Sequence, residues 1–258
     1  MTKIRSARSI GYCIYCGANE SDLSKEHIVP LALGGNMALP KASCSKCAVI
    51  TSQFERFCAR KVLGPFRVRT GAPTRRPNLR PTNLPLGLID LDGGRREVEV
   101  ASGEHPATLI LPVFAKPRIL TLPGEERRET FIMWLALPDY GFLSLPQRHN
   151  AWAIRLGAFE ILSFCRLLAK ISHGAAFLDR DWTNSWQPLL PDLILGRTDK
   201  YDILVGGTDR VENAPEKKDF PVLFESVDIG TQRYLVAELR LFAWLGTPVY
   251  RVVVGRKR

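Results

Sequence analysis

The chain of 258 residues has no apolar run of the roughly 20 residues that a spanning helix needs. Its first residues, MTKIRSARSI, are basic and lack the apolar core of a secretion signal. A cytoplasmic protein with no membrane partner is the expectation. Residues 87–258 have no P-loop, no dinucleotide-binding glycine fingerprint and no kinase or hydrolase motif. No internal repeat points to a solenoid. A disulfide framework is also missing. Of six cysteines, Cys13, Cys16, Cys44 and Cys47 form two Cys-x-x-Cys pairs, which in a reducing compartment read as metal ligands. Cys58 and Cys165 stand alone in apolar surroundings and read as buried, unreactive thiols.

Residues 81–258 have no excess charge, with 22 Lys/Arg against 22 Asp/Glu. Residues 1–80 hold 14 Lys/Arg against 4 Asp/Glu, so the whole net charge of +10 lies on and around the cysteine-bearing segment. A local basic field concentrates polyanions and speeds their capture. Basic tails also serve solubility, but here charge and metal motif coincide. Hydrophobic residues make up 45%, enough for an ordinary globular core.

Residues 12–47 read YCIYCGANESDLSKEHIVPLALGGNMALPKASCSKC. A two-residue gap lets both sulfurs of each pair face one ion, and Gly17 permits the tight backbone after the first pair. The 27 residues between the pairs exceed what a simple zinc ribbon wants, so something is inserted. Residues 27–33 read as a short strand, Gly34-Gly35 as a turn and residues 37–39 as a return strand. A helix is expected over about 45–63, with Ile50, Phe54, Phe57 and Cys58 at helical spacing and Gly64-Pro65 as its stop. Residues 1–11 read as a disordered basic arm.

This order of Cys-x-x-Cys, an acid–His pair followed by Ile and Pro, Gly-Gly, then Cys-x-x-Cys opening a helix resembles the HNH endonucleases. It is most similar to a bacterial branch with EHI-P and LGG between the cysteine pairs. The resemblance covers about residues 12–63 and implies a ββα-metal unit, of treble-clef type, around a structural zinc held by Cys13, Cys16, Cys44 and Cys47. It further implies hydrolysis of DNA with a divalent cation, Mg²⁺ or Mn²⁺. The chain departs from the family at two places. Leu39 and Pro40 stand where the middle Asn is usual, and Ala48, which cannot ligate, stands where a His or Asn usually follows the last cysteine.

The chemistry can also be argued from residue types. Phosphodiester hydrolysis needs an activated water and a counter-charge for the developing phosphorane. A neutral imidazole can take the water's proton, and a divalent cation can polarise the phosphoryl oxygen. The catalytic candidates are therefore His27 as general base, Glu26 as a hard oxygen ligand for the catalytic divalent metal, and Asn36 to orient His27 or its loop. Thr51, Ser52 and Glu55 lie on the same helical side as Ala48. Glu55 reads mainly as a surface glutamate paired with Arg56 or Lys25. The alternative function is a zinc-dependent nucleic-acid-binding module that has lost cutting, which needs only the fold and the basic field.

Residues 64–86 form a Pro/Arg-rich linker, either a basic strap on a phosphate backbone or a segment packed on the next domain. The candidate nucleic-acid contacts are Lys41, Lys46, Arg67, Arg69, Arg75 and Arg76. Residues 87–258 read as a larger α+β domain of unknown function. It has a hairpin at Asp92-Gly93-Gly94 and strands at 107–115, 118–122, 130–137, 141–145, 202–205, 234–243 and 249–254. A central long helix is expected over about 152–173, with His173 as a helix-terminal cation. Trp182 and Trp186, near Asp179 and Asp181, are candidates for a groove or for core. A homodimer through this domain is one expectation. The predicted fold class is α+β, with a zinc-bound ββα-metal module followed by the larger α+β domain.

Overall fold

The computed structural model describes residues 5–19, 22–74, 77–106, 108–122, 124–125, 131–136, 145–155, 159–208 and 222–258, with residues 131–136 described by their backbone. Helices and sheets are mixed throughout, so the α+β class holds.

The N-terminal sheet contains β1 (Arg5–Ser6), β2 (Ser24–His27) and β3 (Met37–Ser43), in the order β1-β3-β2. β1 runs parallel to β3, and β2 runs antiparallel to it, with His27 opposite Ala38. The described part of the N-terminal arm is thus ordered, contrary to expectation. Beyond β1, the amides of Ala7, Ile10 and Gly11 donate to the carbonyls of Ala38, Pro40 and Lys41. An unpaired strand edge offers these acceptors to any chain that can lie along it. The predicted strand over 27–33 ends at His27, because Pro30 has no N–H for a ladder. A 3₁₀ turn, Leu31–Leu33, follows.

Gly34 closes that turn in the left-handed region, at φ 91°, where glycine is favoured. Gly35 is required for a different reason: a Cβ there would lie 2.0 Å from the Val29 carbonyl oxygen.

Helix α1 (Ser45–Phe57) starts directly at the second cysteine pair. It runs into a π-helical turn, Cys58–Val62, and then α2 (Gly64–Arg69). Gly64-Pro65 stops the first helix as expected but also opens a second, since proline's fixed φ suits the first helical position.

A hairpin of β4 (Asn83–Asp90) and β5 (Arg95–Ala101) turns at Asp92-Gly93-Gly94, where Asp92 Oδ1 accepts from the Gly94 amide at 2.9 Å. β6 (Thr108–Val113) pairs with β7 (Phe131–Ala136). Residues 118–120 form a 3₁₀ turn after Pro117 rather than a strand. The expected strand at 141–145 lies outside the described residues except for Leu145, which opens the short helix α3 (Leu145–Arg148).

The long helix is shorter at its start than expected. Residues 151–155 form β8 (Ala151–Arg155) on the second edge of β4, and α4 spans Ile161–Ala176. Trp152 and Ile154 suit a pleated surface, and pairing with β4 prevails over the helical period.

After α5 (Trp182–Ser185), β9 (Trp186–Pro188) and α6 (Pro191–Ile194), the largest sheet forms. It contains β10 (Val205–Gly207), β11 (Val222–Ile229), β12 (Gln232–Leu239) and β13 (Tyr250–Lys257) in the order β10-β13-β12-β11, with β9 also on β13. Residues 201–203 precede β10 as a 3₁₀ turn, and β11 was not legible as a strand in the sequence.

One core runs from the cysteine knuckle to the last strand. It includes Cys13, Ile14, Tyr15, Leu39 and Phe54, most of α4, and Tyr250, Val252 and Val254. Helix α4 lies between α1 on one side and the sheet of β12 and β13 on the other, buried from Ser163 to Ala176 except at Arg166. Trp182 belongs to this core, edge-on to Phe177 at 6.1 Å, whereas Trp186 lies half-buried under Lys257 Nζ at 5.1 Å.

Candidate metal centre and cleft

The four sulfurs of Cys13, Cys16, Cys44 and Cys47 all lie within 4.8 Å of one another. Cys16 Sγ and Cys44 Sγ are 3.8 Å apart. A tetrahedral site with Zn–S of about 2.3 Å needs sulfurs roughly 3.8 Å apart, so this donor set fits zinc. Burial, then the neighbouring thiols, push the Cys47 thiol well above its ordinary range. A bound cation reverses that trend, because it holds thiolates. The knuckle turn is built by the Gly17 amide donating to Cys13 O at 2.8 Å, and it is tied to β3 by Ile14 N–H donating to Ala42 O at 2.9 Å. The outlying thiols are buried as expected, and burial raises Cys58 to about 12 and Cys165 well above its ordinary value.

His27 and Glu26 are neighbours on β2 and therefore point to opposite sides of the sheet. His27 is half-buried and faces a cavity of about 790 Å³. Ser52, Glu55, Arg56, Arg60 and Arg67 share the lining. Arg56 and Arg60 are exposed. They lie four residues apart, Arg56 in α1 and Arg60 in the π-helical turn after it, and both line the cavity that His27 also lines. Neither arginine stood out in the sequence beyond a surface pairing of Arg56 with Glu55. The four-residue spacing was the available signal.

Glu26 points inward and is buried. There it meets Lys170 of α4, which is completely buried. Lys170 Nζ lies 2.7 Å from Glu26 Oε1 and 2.8 Å from Glu55 Oε1. It also donates to the carbonyl oxygens of His27 and Ile28. Burial alone would lower the Lys170 pKa, but the charges and hydrogen bonds of Glu26 and Glu55 prevail and raise it, so the group is an ammonium. Tyr15 lies in the same polar pocket, and its phenol is raised by burial and by the two glutamate charges. Glu55 is therefore not simply a surface residue: its carboxylate bridges the cavity and the buried lysine. For a divalent cation at Glu26 the donor types fit, but the carboxylate already holds an internal cation. Glu26 does not fit the part of an open metal ligand in this structure.

His173 is not the helix-end cation expected from the sequence. It is fully buried near the end of α4 and held neutral, with burial lowering its pKa to about 4. Its Nε2 donates to the Ile14 carbonyl at 2.7 Å, and its ring stacks on Tyr15 at 5.7 Å. It buttresses the cysteine knuckle.

Of the remaining candidates, Asn36 is exposed just before β3. Lys41, Lys46 and Arg69 are exposed. Lys41 adopts a left-handed φ of 49°. Arg67 lines the cavity, but its guanidinium donates to three carbonyls, those of Ala32 at 2.5 Å, Ala59 at 2.9 Å and Pro73 at 3.1 Å. It braces the loop after β2 against α2, and burial lowers its pKa. Arg75 and Arg76 lie outside the described residues.

Comparison with curated proteins and with solved structures returns no match. Residues 13–60, from the first knuckle cysteine through β2, β3 and α1, match the family model described as HNH endonuclease, and it is this N-terminal segment that is similar to the HNH endonucleases.

Proposed function

We propose that the protein is an endonuclease that hydrolyses phosphodiester bonds of DNA, with His27 as general base. The observation that carries this reading is the cavity that His27 lines together with Arg56 and Arg60, within the segment that matches the HNH endonucleases. A neutral His27 imidazole takes the proton of the attacking water. Arg56 and Arg60 hold the phosphate and meet the charge that develops on it. Asn36, just before β3, orients His27 or its loop through its side-chain amide, and the exposed Lys41, Lys46 and Arg69 extend the basic surface for a nucleic-acid backbone. The expected ends are a 5′-phosphate and a 3′-hydroxyl. The resemblance brings a divalent cation, Mg²⁺ or Mn²⁺, to the phosphate. Since the Glu26 carboxylate is held by Lys170, no step is assigned to a metal there. Four-cysteine zinc is structural in this reading.

The test uses supercoiled plasmid with Mg²⁺ or Mn²⁺. The parent nicks it and His27→Ala does not, while both retain DNA equally. Absence of nicking by the parent, with DNA retention intact, would instead favour a binding module that no longer cuts. The filled Glu26 carboxylate and Ala48 in a usual ligand place are what favour that second reading.

A further inference from the structure

Lys170 sits in a cage of four oxygens contributed by two stretches of the chain. Glu26 and the carbonyls of His27 and Ile28 come from β2 and the residue after it, and Glu55 comes from α1. All are hard oxygen donors of the type a divalent cation takes. The two carboxylates come from different elements, and apposed like charges repel unless a cation lies between them.

The geometry points to Lys170 as a resident cation in the place of a metal at Glu26, so that the HNH-like site takes up no divalent ion on that carboxylate. This inference rests on the nuclease reading only in calling the His27 cavity the reaction site. The cage lies behind His27, not in front of it. Lys170 has no exposed surface, so it cannot touch a phosphate. Its action on the reaction is one of position: it fixes the His27 carbonyl and one oxygen of Glu55. The cationic charge offered to a phosphate comes instead from the exposed Arg56 and Arg60 in the cavity lining.

The test counts bound Mn²⁺ by the loss of the free-ion electron paramagnetic resonance signal, on zinc-loaded full-length protein. The parent is expected to take up no Mn²⁺ that Glu26→Gln abolishes. Uptake that persists in Glu26→Gln lies elsewhere and leaves Lys170 in the cage. Removing the ammonium exposes the carboxylates, so Lys170→Ala gains about one Mn²⁺ per chain, and Lys170→Ala with Glu26→Gln loses it again. One Mn²⁺ per chain on the parent, lost in Glu26→Gln, overturns the proposal. So does a folded Lys170→Ala that gains none. Should Lys170→Ala fail to fold, the comparison of the parent with Glu26→Gln decides alone. The count does not depend on turnover, so a failure to nick plasmid leaves it intact.

Discussion

The N-terminal module contains two cages built for a cation, and they obtain it differently. The cysteine cage brings four sulfurs within 4.8 Å of one another and has no cationic side chain among its members. The oxygen cage encloses Lys170, supplied by a helix more than a hundred residues further along the chain. Soft thiols select a metal from outside, and an ammonium can replace a hard metal among oxygens but cannot replace zinc among thiolates. Folding of the first cage is therefore coupled to metal supply, and folding of the second to the docking of α4. One face of that helix serves both. Lys170 enters the oxygen cage, and His173, three residues later, supports the knuckle through Ile14.

The largest way to break this comparison is to open the cysteine cage. Cys44→Ser should lose the zinc that the parent holds at about one per chain, and structural zinc in small modules accounts for roughly 10–16 kcal/mol of binding free energy. Metal analysis and circular dichroism read the result. Because the core is continuous from Cys13 to Val254, the loss should also broaden the melting of the C-terminal region.

Next in size is the oxygen cage. Lys170→Ala leaves two carboxylates facing each other in the interior, and breaking such a buried pair costs roughly 3–5 kcal/mol, measurable by urea denaturation. Replacing Lys170 by Met together with Glu26→Gln and Glu55→Gln should recover part of it, since no uncompensated charge then remains in the interior, although the amides still need partners. The same triple change must leave zinc content untouched if the two cages are independent.

Acid separates the two cages more finely. His173 has a folded pKa of about 4, below its ordinary 6.5, so the unfolded chain binds the extra proton. Its contribution is fully present above pH 6.5 and is lost as pH falls toward 4, an order-of-magnitude 3 kcal/mol. Thermal melts of the parent should fall over that window, and those of His173→Gln should fall less steeply. An equal slope in both would mean that this ring is not the group responsible.

The smallest effect concerns the loop between the cages and the cavity. Gly35→Ala places a methyl group 2.0 Å from the Val29 oxygen, and the loop must shift, at roughly 1–3 kcal/mol. Melting temperature reads the cost, and plasmid nicking reads whether His27, which precedes this loop, has moved.

What was legible in the sequence was what spacing along the chain fixes. Two residues between cysteines set the sulfurs of each pair close enough for one cluster, Gly34-Gly35 set the turn, and Asp92-Gly93-Gly94 set the hairpin. These depend on neighbours within a few residues, where backbone geometry leaves little choice. Other assignments failed where a distant strand edge intervened. Arg5–Ser6 became ordered on β3, and residues 151–155 joined β4 instead of extending α4. The charge state and partner of the site were not legible at all. Glu26 and Lys170 are 144 positions apart, and nothing local to EHIVP signals an ammonium behind it. His173 likewise had the sequence signature of a helix-end cation and became a neutral core residue, because packing against Ile14 and Tyr15 removed its water. The sequence by itself determined the four clustered cysteines, the motif that holds His27 and the basic field around them. Only the tertiary structure decided which cation Glu26 holds, since desolvation and ion pairing depend on which groups meet across the core, and that is set by the docking of α4 between α1 and the last sheet.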